Sequence, residues 1–194
     1  MSVTEGKATR LPDDRQGAIL QVMPQQHGSI PLVPAPPDTT PDSFMAAAIQ
    51  LSIENVRSGR GGPFAALVVK DKQVIATGTN LVTSTNDPTA HAEIVAIREA
   101  CKVLRSFQLT GCEVYASCEP CPMCMAALYW ARPSGIFFAG TREDAARAGF
   151  DDSYIYQQLA LPVDQRSIPT VQMLREQALV ALREWEGRSE KTPY

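Results

Sequence analysis

Three cysteines within seven residues, Cys118, Cys121 and Cys124, constrain the fold of this 194-residue chain more than any other feature. Cys121 stands directly before Pro122, and proline suits the first position of a helix, where its missing N–H costs nothing. Cys121 and Cys124 then occupy neighbouring positions of one helical turn and can bind a single ion. Thirty residues upstream of Cys121, His91-Ala92-Glu93 opens another helix. Residues two apart do not share a helical face, so His91 and Glu93 converge on one point only at the helix entry. The fold must therefore bring two helix N-termini together, and their partial positive charge favours thiolate ligands.

His91, Cys121 and Cys124 make three ligands. Zinc prefers four, and a fourth position left to water marks a catalytic site. Two thiolates neutralise Zn²⁺ while His91 stays neutral. The ion lowers the pKa of its water from 15.7 to roughly 7, nearly nine units, or about 12 kcal/mol. A general base supplies typically 10²–10⁴-fold, about 3–5 kcal/mol, so the metal is expected to be the larger effect, with Glu93 carrying the proton. Three other readings compete. Cys118 could complete a closed Cys₃His structural site, although it ends a strand while its neighbours open a helix, and Glu93 would then have no role. An iron–sulfur cluster fits Cys118, Cys121 and Cys124, but the bacterial pattern needs a cysteine where Leu128 stands. A thiol redox pair at Cys121 and Cys124 leaves the His-x-Glu half unexplained. Cys101 and Cys112 read as core cysteines, and His27 as a surface residue.

Five cysteines, an odd number with three crowded together, argue against a secreted disulfide framework. The net charge of −3 and pI near 5.4 argue against a surface built for long polyanions. No apolar run approaches 18 residues, so no membrane span is expected. The N-terminus carries mixed charge where a signal peptide needs an apolar core. The expected compartment is the cytoplasm.

Residues 1–41 hold seven of the fifteen prolines and read as an extended arm. From 42 onward, helical and strand patterns alternate. Ser43 can cap a helix bearing Phe44, Ala48, Leu51 and Val56, ended by Gly59, Gly61 and Gly62. Residues 63–70 and 73–80 flank Asp71-Lys72 as a hairpin, and Asn86-Asp87-Pro88 is a turn. The next helix carries Ile94, Ile97, Cys101 and Leu104 on one face. A strand at 112–117, a helix at 122–132, a strand at 135–140 and a largely helical 142–160 follow. A short strand around Ile168–Gln172 precedes a last helix with Ala178, Ala181, Leu182 and Trp185 as its buried stripe. This order predicts an α/β domain, three layers α/β/α around a central mixed sheet of about five strands. The divisions are an arm at 1–41, a domain at 42–160 and a C-terminal segment at 161–194.

The paired pattern H-x-E…P-C-x-x-C is that of the zinc deaminases, and residues 44–138 resemble the cytidine deaminase superfamily. GGPFAALVVK, NDPTAHAEIVAIREACKVL, SCEPCPMC, ALYWARP and AGFDDSYIY resemble bacterial guanine deaminases more closely, as does the run from Arg166 to Tyr194. The resemblance implies one zinc per chain on His91, Cys121 and Cys124, with Glu93 as proton shuttle. It further implies that Asn80 hydrogen-bonds a purine, that Phe64 and Phe150 pack on its ring, that Trp130 shapes the pocket floor, and that Asp152 helps the 2-amino group leave. Individually, the aromatic residues could be core, Asp152 a helix cap and Asn80 a turn residue. The C-terminal segment of such enzymes is exchanged between subunits, which implies a domain-swapped homodimer with Tyr194 capping the partner's site. The long arm and the Met173–Leu182 stretch depart from the pattern.

The expected reaction is hydrolysis of guanine to xanthine and ammonia in purine salvage or catabolism, with related aminotriazines as further substrates. The alternatives are deamination of guanosine, cytosine, cytidine or tRNA adenosine; the acidic pI and lack of a Lys/Arg run weigh against nucleic acid. A non-enzymatic alternative is a binding module stabilised by structural zinc through Cys118.

Overall fold

The computed structural model describes residues 38–193. The arm up to residue 37, His27 within it, and Tyr194 lie outside the described residues. Helix α1 (Pro41–Arg57) leads into strands β1 (Ala65–Lys70) and β2 (Gln73–Thr79). The short helix α2 (Val82–Thr85) and helix α3 (Ala92–Leu104) follow, then β3 (Cys112–Cys118), α4 (Pro122–Ala131) and β4 (Gly135–Gly140). Helices α5 (Arg142–Arg147), α6 (Ser153–Ala160) and α7 (Arg175–Gly187) complete the chain. The sheet runs β2-β1-β3-β4, with β1 antiparallel to both neighbours and β3 parallel to β4 through the α4 crossover.

Alternation along β1 explains the layering, because successive strand side chains face opposite sides of a sheet. Ala65, Leu67 and Val69 join Phe44, Ala48 and Leu51 of α1 on one face. Ala66 and Val68 join Ala92, Ala96 and Ala100 of α3 and Leu128 of α4 on the other. Under α1, Tyr115 stacks on Phe137 at 4.8 Å and meets Phe44 at 5.4 Å, contacts worth about 0.5–1.5 kcal/mol each beyond their burial.

Several expectations are corrected. Thr40 caps α1 by accepting the Ser43 N–H; Ser43 itself is buried inside the helix, because Pro41 starts it two residues earlier. The stripe Phe44, Ala48, Leu51 continues through buried Asn55, and Val56 is exposed, since the spacing of four returns to the same face and five overshoots it. The tightest face of α3 is the alanine row 92, 96, 100, with Ile97, Cys101 and Leu104 packed around it. Among the described residues the sheet has four strands and not about five. Ile168–Gln172 is exposed and unpaired, and Pro169 removes a donor from any ladder there. The 142–160 stretch breaks between α5 and α6, where Gly149 adopts φ +94°. Helix α7 has no buried residue, so Ala178, Ala181, Leu182 and Trp185 are not buried within the chain. The hairpin holds: Asp71 and Lys72 both take positive φ, as a two-residue turn between right-twisted strands requires.

Gly78 of β2 sets the distance of α3 from the sheet. A Cβ there would lie 2.1 Å from the Ala92 carbonyl oxygen and 2.5 Å from the Ala96 nitrogen, both backbone atoms. Gly78→Ala is therefore expected to push the start of α3 off the sheet and cost about 1–3 kcal/mol, the usual penalty of overpacking. A urea titration giving an unchanged midpoint would contradict this.

Candidate active site

Both helix N-termini point to one place. His91 is the N-cap of α3 and Cys121 the N-cap of α4, while Cys124 lies in the first turn of α4 behind Pro122. The His91 Nδ1 and Cys121 Sγ atoms are 3.5 Å apart. One ligand atom from each of His91, Cys121 and Cys124 lies within 4.8 Å of the others, the one such metal-capable group among the described residues. Glu93, one residue into α3, is buried beside them.

The donor chemistry fits a zinc ion. The Cys124 thiol donates toward Cys121, which holds the Cys121 thiol down to about 4, with His91 adding to the effect. The same interaction, with burial, pushes Cys124 up. His91 is raised, chiefly by its hydrogen bond with Cys121. The cluster thus keeps protons that a divalent cation displaces, the usual exchange when thiol and imidazole groups become ligands. Burial raises the Glu93 carboxyl, against hydrogen bonds that lower it.

A cavity of about 510 Å³ opens above this cluster, within the range of small-molecule sites. Phe64 and Phe150 line it and meet edge to face at 4.9 Å. Asn80, buried at the end of β2, also lines it. Its Oδ1 accepts the Val82 N–H at 3.3 Å, which leaves the Nδ2 hydrogens to offer a ligand. Asp152 lines the cavity and makes no side-chain cap bond to α6; Asp151 accepts the Ser153 N–H at 2.9 Å instead. Burial, and then the charge at Cys121, raise the Asp152 carboxyl. The break at Gly149 is what turns Phe150, Asp151 and Asp152 toward the cavity.

Trp130 is not brought to the site. It is 63% exposed and outside the cavity lining, because it lies nine residues beyond Cys121, about 13 Å along α4 at 1.5 Å per residue. Cys118 lines the cavity but stands outside the metal-capable group; its thiol donates to the Thr141 carbonyl at 3.5 Å. Arg142 and Glu119, not anticipated from the sequence, border the cavity. The Arg142 N–H donates to Glu119 at 3.1 Å, and its guanidinium sits 5.1 Å over the Tyr156 ring. Glu119 lies within the SCEPCPMC run, where the resemblance assigns it no role, and no motif marks Arg142.

Comparison with known proteins identifies the class. Residues 38–140 match the family model of the cytidine and deoxycytidylate deaminase zinc-binding region, and the chain belongs to that family. It is a zinc-dependent aminohydrolase. A guanine deaminase of Bacillus subtilis strain 168 is 50% identical over 153 residues, 79% of this chain and 98% of that one. The X-ray structure of guanine deaminase from Bacillus subtilis superposes with a TM-score of 0.78 at 49% identity, covering 80% of this chain and 99% of the other. A structure of guanine deaminase from Nitrosomonas europaea gives a TM-score of 0.57 at 31% identity over 75% and 84% of the two chains.

The zinc site yields a direct expectation. Cys118→Ala should retain one zinc per chain, while Cys121→Ala should lose it. Because Cys124 and His91 hold their protons up to raised pKa values, zinc affinity should weaken as pH falls. Metal analysis of the variants, and chelator competition from pH 8.5 down to 6, test both; loss of zinc from Cys118→Ala would revive the Cys₃His site.

Proposed function

We propose that this protein hydrolyses guanine to xanthine and ammonia in cytoplasmic purine salvage or catabolism, with related aminotriazines as secondary substrates. The observation that carries the reading is one cavity that joins the His91, Cys121 and Cys124 cluster and buried Glu93 to aromatic walls and the Asn80 amide. The relatives named guanine deaminase support the choice of base.

Zinc bound by His91, Cys121 and Cys124 supplies Lewis-acid activation of water at neutral pH. Glu93 accepts the proton of the attacking water and delivers it to ring N3 as C2 becomes tetrahedral. Burial raises the Glu93 carboxyl, the direction that favours a group able both to take up and to release a proton. Glu93, again a carboxylate, then takes the proton of the new C2 hydroxyl. The exocyclic amine receives a proton from Glu93 or from Asp152, the C2–N bond breaks, ammonia leaves and the C2 carbonyl forms. Phe64 and Phe150 hold the flat ring, and Asn80 binds its polar edge. The net charge of −3 suits a small neutral base better than a tRNA.

Residues 42–160 are assigned to the deaminase unit and 161–194 to a segment exchanged in a homodimer. Exposed Ile168, Val171, Met173, Leu174 and Trp185 support this, because so many large apolar side chains left open in one segment are characteristic of a surface that meets a partner. So does the outer edge of β4, where the described residues place no strand and Phe137 and Phe138 are partly exposed. Tyr194 is assigned the position that caps the partner's cavity. Five free cysteines fit a reducing compartment.

Ammonia release from guanine, guanosine, cytosine, cytidine and adenosine tests the substrate; turnover of another member without guanine would overturn it. Glu93→Ala should keep its zinc and lose about 10²–10⁴-fold in kcat; a near-normal rate would remove Glu93 from the mechanism. Light scattering should give about twice the 21.1 kDa chain mass, and a chain ending at residue 160 should lose both the dimer and the activity. A fully active monomer would refute the exchange.

A further inference from the structure

The carboxyl end of α1 carries a polar side chain where the helical stripe calls for an apolar one. Asn55 is fully buried and lies outside the cavity lining. Its Nδ2 donates two hydrogen bonds, one to the Gly62 carbonyl and one to the Asn80 carbonyl, both at 2.9 Å. Both acceptors are carbonyls, so the amide can be oriented only one way. Its Oδ1 is buried without a partner, a cost a purely apolar side chain would avoid.

Both bonded segments are walls of the cavity. The Gly62 carbonyl also accepts the Phe64 N–H at 2.8 Å, and the Phe64 carbonyl accepts the Asn80 N–H at 3.0 Å. Gly61 permits the close approach: a Cβ there would lie 2.0 Å from the Asn80 carbonyl oxygen and 3.3 Å from the Asn55 amide nitrogen. A single buried amide therefore clamps the turn carrying Phe64 to the strand end carrying Asn80. Neither of its hydrogen bonds goes to the metal-capable cluster or to Glu93.

We propose that Asn55 is a positioning residue that fixes the spacing and orientation of Phe64 and Asn80, and so sets the grip on the purine without affecting the chemistry at Glu93. The inference rests on the assignment of this cavity to guanine. Asn55→Leu removes both donors at similar volume. Asn55→Asp, kept protonated by burial against two carbonyl oxygens, retains one donor.

The test is steady-state guanine deamination by zinc-loaded wild type, Asn55→Asp and Asn55→Leu, with zinc content measured for each. The expected result is a graded rise in KM, severalfold for Asn55→Asp and at least tenfold for Asn55→Leu, with kcat within about threefold of wild type and one zinc per chain. A purely structural role would lower kcat or zinc content without this split. Unchanged KM values beside normal wild-type turnover would overturn the assignment of Asn55 alone. Absence of wild-type turnover would overturn the guanine reading and this inference with it. If Asn55→Leu does not fold, Asn55→Asp and Asn55→Ser, which also keeps one donor, decide the matter. Failure of all three to fold would make Asn55 a global stability element and refute the proposal.

Discussion

The close seating of α3 on β2 is the contact on which the site depends. An alanine row on the helix meets a glycine on the strand, so backbone lies almost against backbone. Interiors packed to crystal-like density move little in response to strain, and a helix held this closely has a fixed N-terminus. That fixed end places His91 and Glu93. The parallel β3–α4–β4 unit places Cys121 and Cys124 from the other side, where the carboxyl end of a strand meets the start of a helix. Open α/β sheets characteristically bind ligands at such ends.

Convergence of two helix N-termini gives the site its electrostatic character. The Cys124 thiol, donating to Cys121, favours a thiolate there, in the sense that a helix N-terminus also favours, while burial disfavours charge on Glu93. Two acidic groups a few residues from one another in space are thus driven in opposite directions: the Cys121 thiol down, the Glu93 carboxyl up. Metal ligation needs the first and proton transfer the second. Phe64 and Phe150 wall the cavity above both, and charges next to apolar walls act on one another more strongly than in bulk water.

The remaining surface is built around different forces. Helix α7 and the extended stretch before it bury nothing in their own chain, yet their apolar spacing is that of buried elements. The proposed exchange with a second copy would reconcile the two by burying that spacing against a partner.

Much of this was legible in the chain. The ligand group, Glu93, the hairpin, the helix starting at Pro122 and the strand at 135–140 follow from local rules, because ligand spacing, turn chemistry and proline at a first helical position act within a few residues. Asn55 carried a readable signal, a polar residue on a buried stripe, which a one-residue misplacement of the stripe onto Val56 obscured. Trp130 lies outside the cavity lining of the described residues; a family resemblance assigns a role and says nothing of the rise that carries the side chain along α4. Only the tertiary structure decided that Gly149 turns Phe150 and Asp152 into the cavity, that Cys118 serves the Thr141 carbonyl, and that Asn55 joins two walls. Those outcomes depend on which distant backbone groups come within about 3 Å, a distance set by packing between elements, whereas the metal group depended on residue identity and periodicity, which the chain states by itself.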